Sequence, residues 1–200
     1  MNDPDPNAPL EQLYRAAAGG GDRVPWDRRA PHPLLERWDG DLAGAGRRAL
    51  VIGSGLGTDA EFLAARGFDV VGFDASATAL ALCRERFPDS VVDYRVADLL
   101  DLPAAWERAF GFVLESLTVQ SMAPRDHAAA TTRVARTVAP GGTLLVIATA
   151  RHDDVVPDGP PWPLTRAEVE AFAGANLRTV LVEDVREDGV PPRWRAEFRC

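Results

Sequence analysis

The chain has 200 residues, of which 46% are hydrophobic and 26% charged, a composition typical of one globular domain and unlike a disordered tail. Thirty acidic residues against twenty-two basic ones give a net charge of -8, which argues against a nucleic-acid partner because phosphate binding needs clustered positive charge. All of the basic residues are arginines, so the sequence excludes Schiff-base lysines and P-loop lysines, and its two cysteines exclude a disulfide framework or a four-thiolate zinc site.

The first part of the chain predicts a tail and two short helices separated by a proline-rich stretch. Residues 1–9 are acidic and rich in proline, which predicts a tail, and apolar residues at helical spacing predict a short helix over 9–18. A glycine triplet at 19–21 ends that helix. The stretch 24–33 has too many prolines for regular structure, and a further helix is expected at 33–39.

Membrane attachment is not expected. The sequence contains no run of about 18 apolar residues, which is the length that a membrane-spanning helix needs. Its acidic N-terminus also lacks the features of a signal peptide, so we expect a cytoplasmic protein.

From residue 49 onward, short apolar runs alternate with helical patterns, and this alternation predicts a parallel sheet built from βαβ units. The last two strands, joined by a Gly-Val-Pro-Pro turn, are expected to be antiparallel. Capping-box patterns that begin at Thr58 and Thr165 predict two of the helix starts. The predicted strands are 49–53, 68–74, 91–96, 110–115, 143–148, 177–185 and 192–199, and the predicted helices are 58–66, 76–86, 124–138 and 165–174.

A glycine-rich loop follows the first predicted strand and precedes a helix. Gly53, Gly55 and Gly57 stand where a backbone must turn sharply and where a ligand can approach main-chain atoms. Asp74 ends the next predicted strand, and its carboxylate could accept hydrogen bonds from both hydroxyl groups of a ribose. Together, the loop and the acid predict a nucleotide-bearing ligand at the switch point of a doubly wound sheet.

The residues around this loop favour a ligand without phosphate. Thr58 stands where a dinucleotide-binding loop has glycine or alanine, and Asp59 adds negative charge where a pyrophosphate would bind. S-adenosylmethionine, which carries a ribose, an adenine and an amino-acid end, fits these conditions. Asp98 follows the third predicted strand, where it could accept the adenine amine, with Leu99 against the ring.

These motifs together resemble the class I S-adenosylmethionine-dependent methyltransferases over about residues 24–199. The late turn Pro140-Gly141-Gly142 also resembles the family's entry into its fifth strand. More narrowly, the segment 25–28, with prolines at 31 and 33, resembles the small-molecule branch related to thiopurine S-methyltransferases. In that branch an N-terminal segment covers the cofactor.

The resemblance implies a Rossmann-like, doubly wound α/β fold with an N-terminal helical cover. Its seven-stranded sheet has the order 3-2-1-4-5-7-6, with strand 7 antiparallel. We expect one domain, in which residues 1–45 form the tail and cover and residues 46–200 form the methyltransferase domain. The predicted contacts to S-adenosylmethionine are Gly53, Ser54, Gly55, Gly57, Asp74, Ala75, Asp98, Leu99, Glu115 and Trp26.

Glu115, at the end of the fourth predicted strand, is the candidate catalytic residue. It could act as a general base or contact the methionine end of the cofactor, and the alternative is a structural carboxylate. His127 is expected to face solvent, and Cys83, which falls on a predicted helix, is expected to have a packing role. His152 beside Asp153 and Asp154 has too few ligands for a typical metal site, so no metal is predicted.

The predicted function is methyl transfer to a small-molecule acceptor by in-line displacement, with a sulfur, oxygen, nitrogen or halide nucleophile. A non-catalytic adenosylmethionine-binding protein and an NAD(P)-dependent oxidoreductase are the alternatives. The expected partner is the small-molecule acceptor, with no nucleic acid and no membrane. The oligomeric state is expected to be a monomer or a homodimer.

Overall fold

The computed structural model describes residues 8–21, 24–152, 159–174 and 176–200. Residues 1–7 of the predicted tail lie outside the described residues. So do Asp153 and Asp154, which the sequence places beside His152.

The strands of the described residues form one mixed sheet in which strand order follows the expectation. Seven described strands have the order β3-β2-β1-β4-β5-β7-β6, with β1 to β5 parallel and β7 antiparallel to both of its neighbours. The predicted Rossmann-like topology is therefore confirmed. The strands are β1 (Arg48–Ile52), β2 (Asp69–Asp74), β3 (Asp93–Val96), β4 (Phe110–Ser116), β5 (Val138–Thr149), β6 (Arg178–Glu187) and β7 (Val190–Arg199).

The helices lie around this sheet, and short 3-10 turns join several of them to the strands. The predicted helix at 33–39 is a single turn, and the one at 165–174 changes to a 3-10 turn at residue 171. The helices are α1 (Ala8–Ala18), α2 (Pro33–Glu36), α3 (Thr58–Ala64), α4 (Ala77–Arg86), α5 (His127–Thr137) and α6 (Arg166–Glu170).

Of the two capping boxes that the sequence predicts, the structure confirms the one at Thr165 and contradicts the one at Thr58. At Thr165 the side chain and Glu168 form the reciprocal capping box that the sequence predicts. At α3 the N-cap is Gly57, without a side-chain cap, and Glu61 instead accepts hydrogen bonds from the hydroxyls of Ser90 and Tyr94. Because the Glu61 carboxylate binds these two hydroxyl groups, it does not form the capping box that the sequence pattern predicts.

Strand β5 begins earlier than predicted because its first residues also find partners. Val138 pairs with Phe110, and the register shifts by a bulge before Phe112 pairs with Thr143. The backbone around Gly142 exchanges hydrogen bonds with the last residue of the chain, Cys200, whose N–H donates to the Gly142 carbonyl. The predicted turn at 140–142 is therefore part of the strand.

Both faces of the central strands are buried, as expected for parallel strands with helices on each side. Along β1, Leu50 and Ile52 belong to the core beneath α5 and α6, whereas Ala49 and Val51 belong to the core beneath α2, α3 and α4. No helix among the described residues has both the length and the hydropathy required to cross a bilayer.

The N-terminal segment is attached to the domain at several points. Tyr14 and Val24 pack on Ala79 of α4 in a small cluster of their own. Asp27 accepts two hydrogen bonds from the Arg86 guanidinium, at 2.9 and 2.7 Å. These contacts position α1 and the proline-rich stretch beside the glycine loop.

Gly57 has a packing role that the sequence reading did not identify. Its φ of +86° lies in the left-handed region. A β-carbon at this position would overlap the Cys83 sulfur and the Tyr94 hydroxyl. The predicted packing role of Cys83 agrees with its complete burial. Gly57 therefore allows the start of α3 to approach α4 and β3 closely.

Replacement of Gly57 by alanine should destabilise the protein more than the same change at Gly141. Gly141 also has positive φ, at +74°, but a β-carbon there would point into open space. Gly141→Ala should cost about 1–2 kcal/mol for the left-handed backbone alone, and Gly57→Ala about 1–3 kcal/mol more for overpacking. Urea unfolding measures both free energies, and equal losses would show that overpacking at Gly57 has no cost.

Candidate active site

The glycine loop joins the end of β1 to the start of α3, and two other segments of the chain pack close to it. Gly53 and Gly55 have φ values of +58° and +52°, so both positions favour glycine. A β-carbon at Gly53 would overlap the Thr118 side chain, and one at Gly55 would lie 3.2 Å from the Tyr14 hydroxyl. The loop is thus a narrow cradle between the turn after β4 and helix α1.

Asp74 connects this loop to the end of β2. Its Oδ2 accepts a hydrogen bond from the Gly55 N–H at 2.9 Å, and its Oδ1 accepts one from the Ser76 N–H at 2.8 Å. Burial raises the pKa of Asp74, and these two hydrogen bonds oppose that rise. A carboxylate offers about four acceptor positions, so Asp74 retains capacity for further donors. Ala75, the next residue, is exposed at the same edge.

The structure adds Glu11, which sequence reasoning missed, to this site. Its carboxylate accepts hydrogen bonds from Ser76 Oγ at 2.5 Å and Thr78 Oγ1 at 2.6 Å. These bonds, that from Ser76 foremost, lower the pKa of Glu11. Its charge also contributes to the raised pKa of Asp74. Two carboxylates therefore meet at the start of α4.

Tyr14 is a second residue that the sequence did not identify. Its side chain is buried beside Gly55, and burial raises the pKa of its hydroxyl, helped by the negative charge of Asp74. The helical spacing of Tyr14 with Leu10, Leu13 and Ala17 was visible in the sequence. Leu13 is nevertheless 41% exposed, so spacing alone could not show which side chain faces the loop.

Trp26 lies at the outside of this group. It is 41% exposed, and its ring meets that of Tyr14 edge-on with 5.9 Å between the centroids. Its indole N–H donates to the Tyr14 hydroxyl at 3.3 Å. Trp26 therefore orients Tyr14, and its predicted direct contact to the cofactor stays a prediction.

Asp98 and Leu99 follow β3 at the same edge of the sheet. Val96, the last residue of β3, pairs with Asp74, the last residue of β2. Asp98 therefore lies two residues beyond the level of Asp74 at this edge. The Asp98 side chain is exposed and accepts a hydrogen bond from the Leu100 N–H at 2.9 Å, while Leu99 is buried in the core. The capping function of Asp98 is shown, and its contact to adenine stays a prediction.

Ser54, in the middle of the loop, has a buried hydroxyl oxygen without a hydrogen-bond partner among the described residues. Ser54 packs against Gly72 in β2, where an added β-carbon would lie 3.2 Å from the Ser54 β-carbon. An unpartnered buried hydroxyl is costly and is typical of a place where a ligand or water completes the hydrogen bonding.

Glu115 is fully buried, with 0% exposure, near the end of β4. Its Oε1 accepts hydrogen bonds from the N–H groups of Thr118 and Val119 at 2.8 and 2.9 Å. Its Oε2 has no partner among the described residues. Burial raises the pKa of Glu115 to about 7, against the two hydrogen bonds. The carboxyl group therefore holds the turn that packs against Gly53.

The turn after β4 also contains a strained residue. Leu117 has φ of +63°, which is unusual for a leucine, and its N–H donates to the Ile147 carbonyl at 2.8 Å. The Thr118 hydroxyl donates to the Ile52 carbonyl at 2.9 Å. Strain of this kind persists only where surrounding contacts fix the backbone, and it concentrates at functional sites.

One histidine differs from the expectation. His127 is buried, with its ring nitrogens 3.2 Å from Glu168 Oε1 and 3.0 Å from the Met122 carbonyl, so the expectation that it faces solvent is wrong. The packing of α6 against the start of α5 encloses it, which the sequence of α5 alone cannot reveal. His152 is exposed and lies 3.2 Å from Arg186. Among the described residues, no cluster of three or more His, Cys, Asp or Glu could hold a metal.

Asp59 performs a structural task at the start of α3. Its Oδ1 accepts a hydrogen bond from the His32 N–H at 2.7 Å, and burial raises its pKa. This acid beside the glycine loop therefore binds the N-terminal segment.

The comparison with protein families agrees with this site. Residues 50–146 match the family model described as a methyltransferase domain. The matched range includes the glycine loop, Asp74, Asp98 and Glu115. The match supports a methyltransferase domain in this part of the chain. No curated protein matches the chain in sequence.

Solved structures show the same fold at low sequence identity. A structure described for the conversion of a disulfide bond into a thioacetal group during echinomycin biosynthesis is 22% identical, with 97% of this chain and 91% of that chain covered and a TM-score of 0.75. The N-methyltransferase NodS from Bradyrhizobium japonicum, in complex with S-adenosyl-L-homocysteine, is 20% identical, with 98% of each chain covered and a TM-score of 0.73.

A third structure is the 1,6-didemethyltoxoflavin-N1-methyltransferase of Burkholderia thailandensis, with bound 1,6-didemethyltoxoflavin and S-adenosylhomocysteine. It is 16% identical, with 100% of this chain and 92% of that chain covered and a TM-score of 0.67. These likenesses extend over the cover segment as well as the sheet.

Glu115→Gln should change how stability depends on pH. With a pKa near 7 in the folded state against the usual 4.5, Glu115 keeps its proton in the folded protein while the unfolded chain loses it. Folding stability should therefore fall as pH rises from about 5 to 8, by up to about 3 kcal/mol. The glutamine variant lacks this contribution and should lose less stability over the same range.

Urea unfolding at pH 5 and pH 8 measures the difference between the two proteins. The exposed Glu85→Gln is the matched control and should follow the wild type. An identical pH dependence in wild type and Glu115→Gln would contradict the assignment of a raised pKa to Glu115.

Proposed function

We propose that this protein is an S-adenosylmethionine-dependent methyltransferase that acts on a small-molecule acceptor. The observation that carries the proposal is the Asp74 carboxylate, bonded to the Gly55 N–H at the glycine loop and still able to accept further hydrogen bonds. A ribose offers the pair of hydroxyl groups that such an acceptor can bind.

The residues present fit S-adenosylmethionine better than a phosphate-bearing cofactor. The glycine loop leaves its main chain uncovered by β-carbons, and the hydroxyl of Ser54 lacks a partner among the described residues. The carboxylates of Glu11, Asp59 and Asp74 lie around the loop, where they would repel phosphate and attract a cation. The cofactor, when bound, supplies an electrophilic methyl group on a positively charged sulfur.

The structural neighbours support both parts of the proposal. Two of them were solved with S-adenosylhomocysteine, and one of these also holds 1,6-didemethyltoxoflavin, a small molecule. The resemblance of residues 25–28 to the thiopurine S-methyltransferase-like branch also favours a small-molecule acceptor, and we keep that narrower assignment as part of the proposal.

In this mechanism the protein contributes mainly position. In-line displacement requires the acceptor nucleophile to be aligned and stripped of water, and such alignment can supply about 7–11 kcal/mol of barrier reduction. The cover segment, bound through Glu11 to the start of α4 and through His32 to Asp59, would exclude water from the cleft. A sulfur or halide nucleophile then needs little help from a base.

We propose a positioning role for Glu115, and a general-base role is its alternative. Through the N–H groups of Thr118 and Val119 it fixes the turn against Gly53. The base alternative would use Oε2, whose pKa near 7 suits proton transfer at neutral pH. In Glu115→Gln, lost turnover with retained cofactor affinity would indicate a base, and parallel loss of both would indicate positioning.

Turnover of S-adenosylmethionine to S-adenosylhomocysteine tests the proposed activity. A panel of thiol, phenol, amine and halide acceptors should contain at least one that accelerates turnover above the rate without acceptor. Cofactor binding without turnover for any acceptor would favour the non-catalytic alternative. Binding of NADH without binding of S-adenosylmethionine would favour the oxidoreductase.

Asp74→Ala should weaken S-adenosylhomocysteine binding by about fivefold to 150-fold. The change leaves two ribose hydroxyl groups without their acceptor, at a cost of about 1–3 kcal/mol. Isothermal titration calorimetry measures the dissociation constant. Asp93→Ala is the control and should bind like the wild type. It removes an exposed carboxylate on the neighbouring strand β3, where Asp93 pairs with Arg95. An unchanged dissociation constant in Asp74→Ala would refute the placement of the ribose.

A further inference from the structure

A positively charged cleft lies where the cover segment meets β7. It is lined by Arg28, His32, Arg37, Glu187 and Arg193, together with apolar side chains, and it encloses about 30 Å³. Three arginines around one small cleft are unexpected in a chain whose net charge is -8. The cleft therefore has a local charge opposite to that of the whole protein.

His32 presents an unused donor in this cleft. The side chain is 6% exposed, and its Nδ1 accepts a hydrogen bond from the Leu34 N–H at 3.1 Å. A neutral ring that accepts at Nδ1 carries its proton on Nε2, and this atom is buried without a partner among the described residues. Burial, supported by the charges of Arg28, Arg193 and Arg37, lowers the pKa of His32 to about 3, so the ring is neutral at physiological pH.

Arg193 presents a second unused donor. Its Nη1 donates to Thr149 Oγ1 at 2.8 Å, but its Nε is buried without a partner among the described residues. An orphaned buried donor is costly unless something accepts its hydrogen bond. Two such donors in one cleft indicate an acceptor group that binds both.

The charges in the cleft are only partly neutralised. Arg37 pairs with Glu187 at 2.5 Å, whereas neither Arg28 nor Arg193 forms an ion pair within the described ranges. Burial and the charge of Arg28 both lower the pKa of Arg193. Asp59 also lies near Arg28: it accepts a hydrogen bond from the His32 N–H, and the charge of Arg28 opposes the rise that burial causes in its pKa. A bound anion would relieve the repulsion between the two arginines.

The cleft lies at the same edge of the sheet as the glycine loop. On one side, the backbone of His32 binds Asp59, the second residue of α3 after the loop. On the other side, Arg193 binds Thr149 at the end of β5, and Thr149 also accepts a hydrogen bond from Gln120 Nε2 at 3.1 Å. A molecule anchored in the cleft would therefore extend towards the carboxyl ends of the strands.

We propose that the methyl acceptor carries a carboxylate, which binds between His32 Nε2, Arg193 Nε and the charge of Arg28. This inference rests on the proposed methyltransferase function. The two oxygens of a carboxylate match the two unused donors. A phosphate would bring more oxygens than these two unused donors can satisfy.

Calorimetric titration of benzoate and of inorganic phosphate into the protein tests this site, with and without saturating S-adenosylhomocysteine. Benzoate should bind the wild type, and it should bind more tightly than phosphate. Arg193→Gln removes the charge, and His32→Asn keeps an acceptor for the Leu34 N–H but removes the Nε2 donor. Each variant should weaken benzoate binding about tenfold or more.

Arg178→Gln is the matched control, since it removes one exposed positive charge at the opposite end of the β6–β7 pair. It should change benzoate affinity less than twofold. Equal weakening by Arg178→Gln and Arg193→Gln, tighter binding of phosphate than of benzoate, or no benzoate binding would each overturn the carboxylate site. Failure of S-adenosylhomocysteine to bind would instead count against the proposed function, while the titration without it still tests the cleft.

Discussion

The Asp74 carboxylate is the interaction on which the arrangement of this molecule depends. It accepts hydrogen bonds from Gly55 in the loop after β1 and from Ser76 at the start of α4, so it fixes two neighbouring loops against each other. The hydroxyl of Ser76 in turn donates to Glu11, which brings α1 to the same point. One half-buried acid thus links the ends of two strands and helix α1.

Charge is divided between two halves of the same edge of the sheet. The glycine loop is surrounded by acids, with Glu11 and Asp74 at the start of α4. The cleft beneath the cover is surrounded by arginines, of which Arg28 and Arg193 have no ion pair among the described residues. A cationic methyl donor and an anionic acceptor would each meet complementary charge, and each would be repelled from the other's place.

Local patterns in the sequence predict the strands and the antiparallel last pair, because period and turn residues act over short distances, whereas the strand order follows from the family resemblance. The strand order, the antiparallel β7 and the proximity of Asp74 to the glycine loop all agree with the structure. The contacts that Glu11 and Tyr14 of α1 make at the glycine loop, and the burial of His127, depend on what packs against them, which short-range patterns do not contain. Arg193 is likewise a residue whose neighbours, Thr149 and His32, are distant in sequence.

A crystal structure with S-adenosylhomocysteine tests the central claim most directly. The account predicts both ribose hydroxyl groups within hydrogen-bonding distance of the Asp74 carboxylate, at about 2.5–3.0 Å between oxygens. It also predicts that the glycine loop keeps its bond from Gly55 to Asp74. A ribose bound away from Asp74, or a ligand seated outside the cradle between Thr118 and Tyr14, would contradict it.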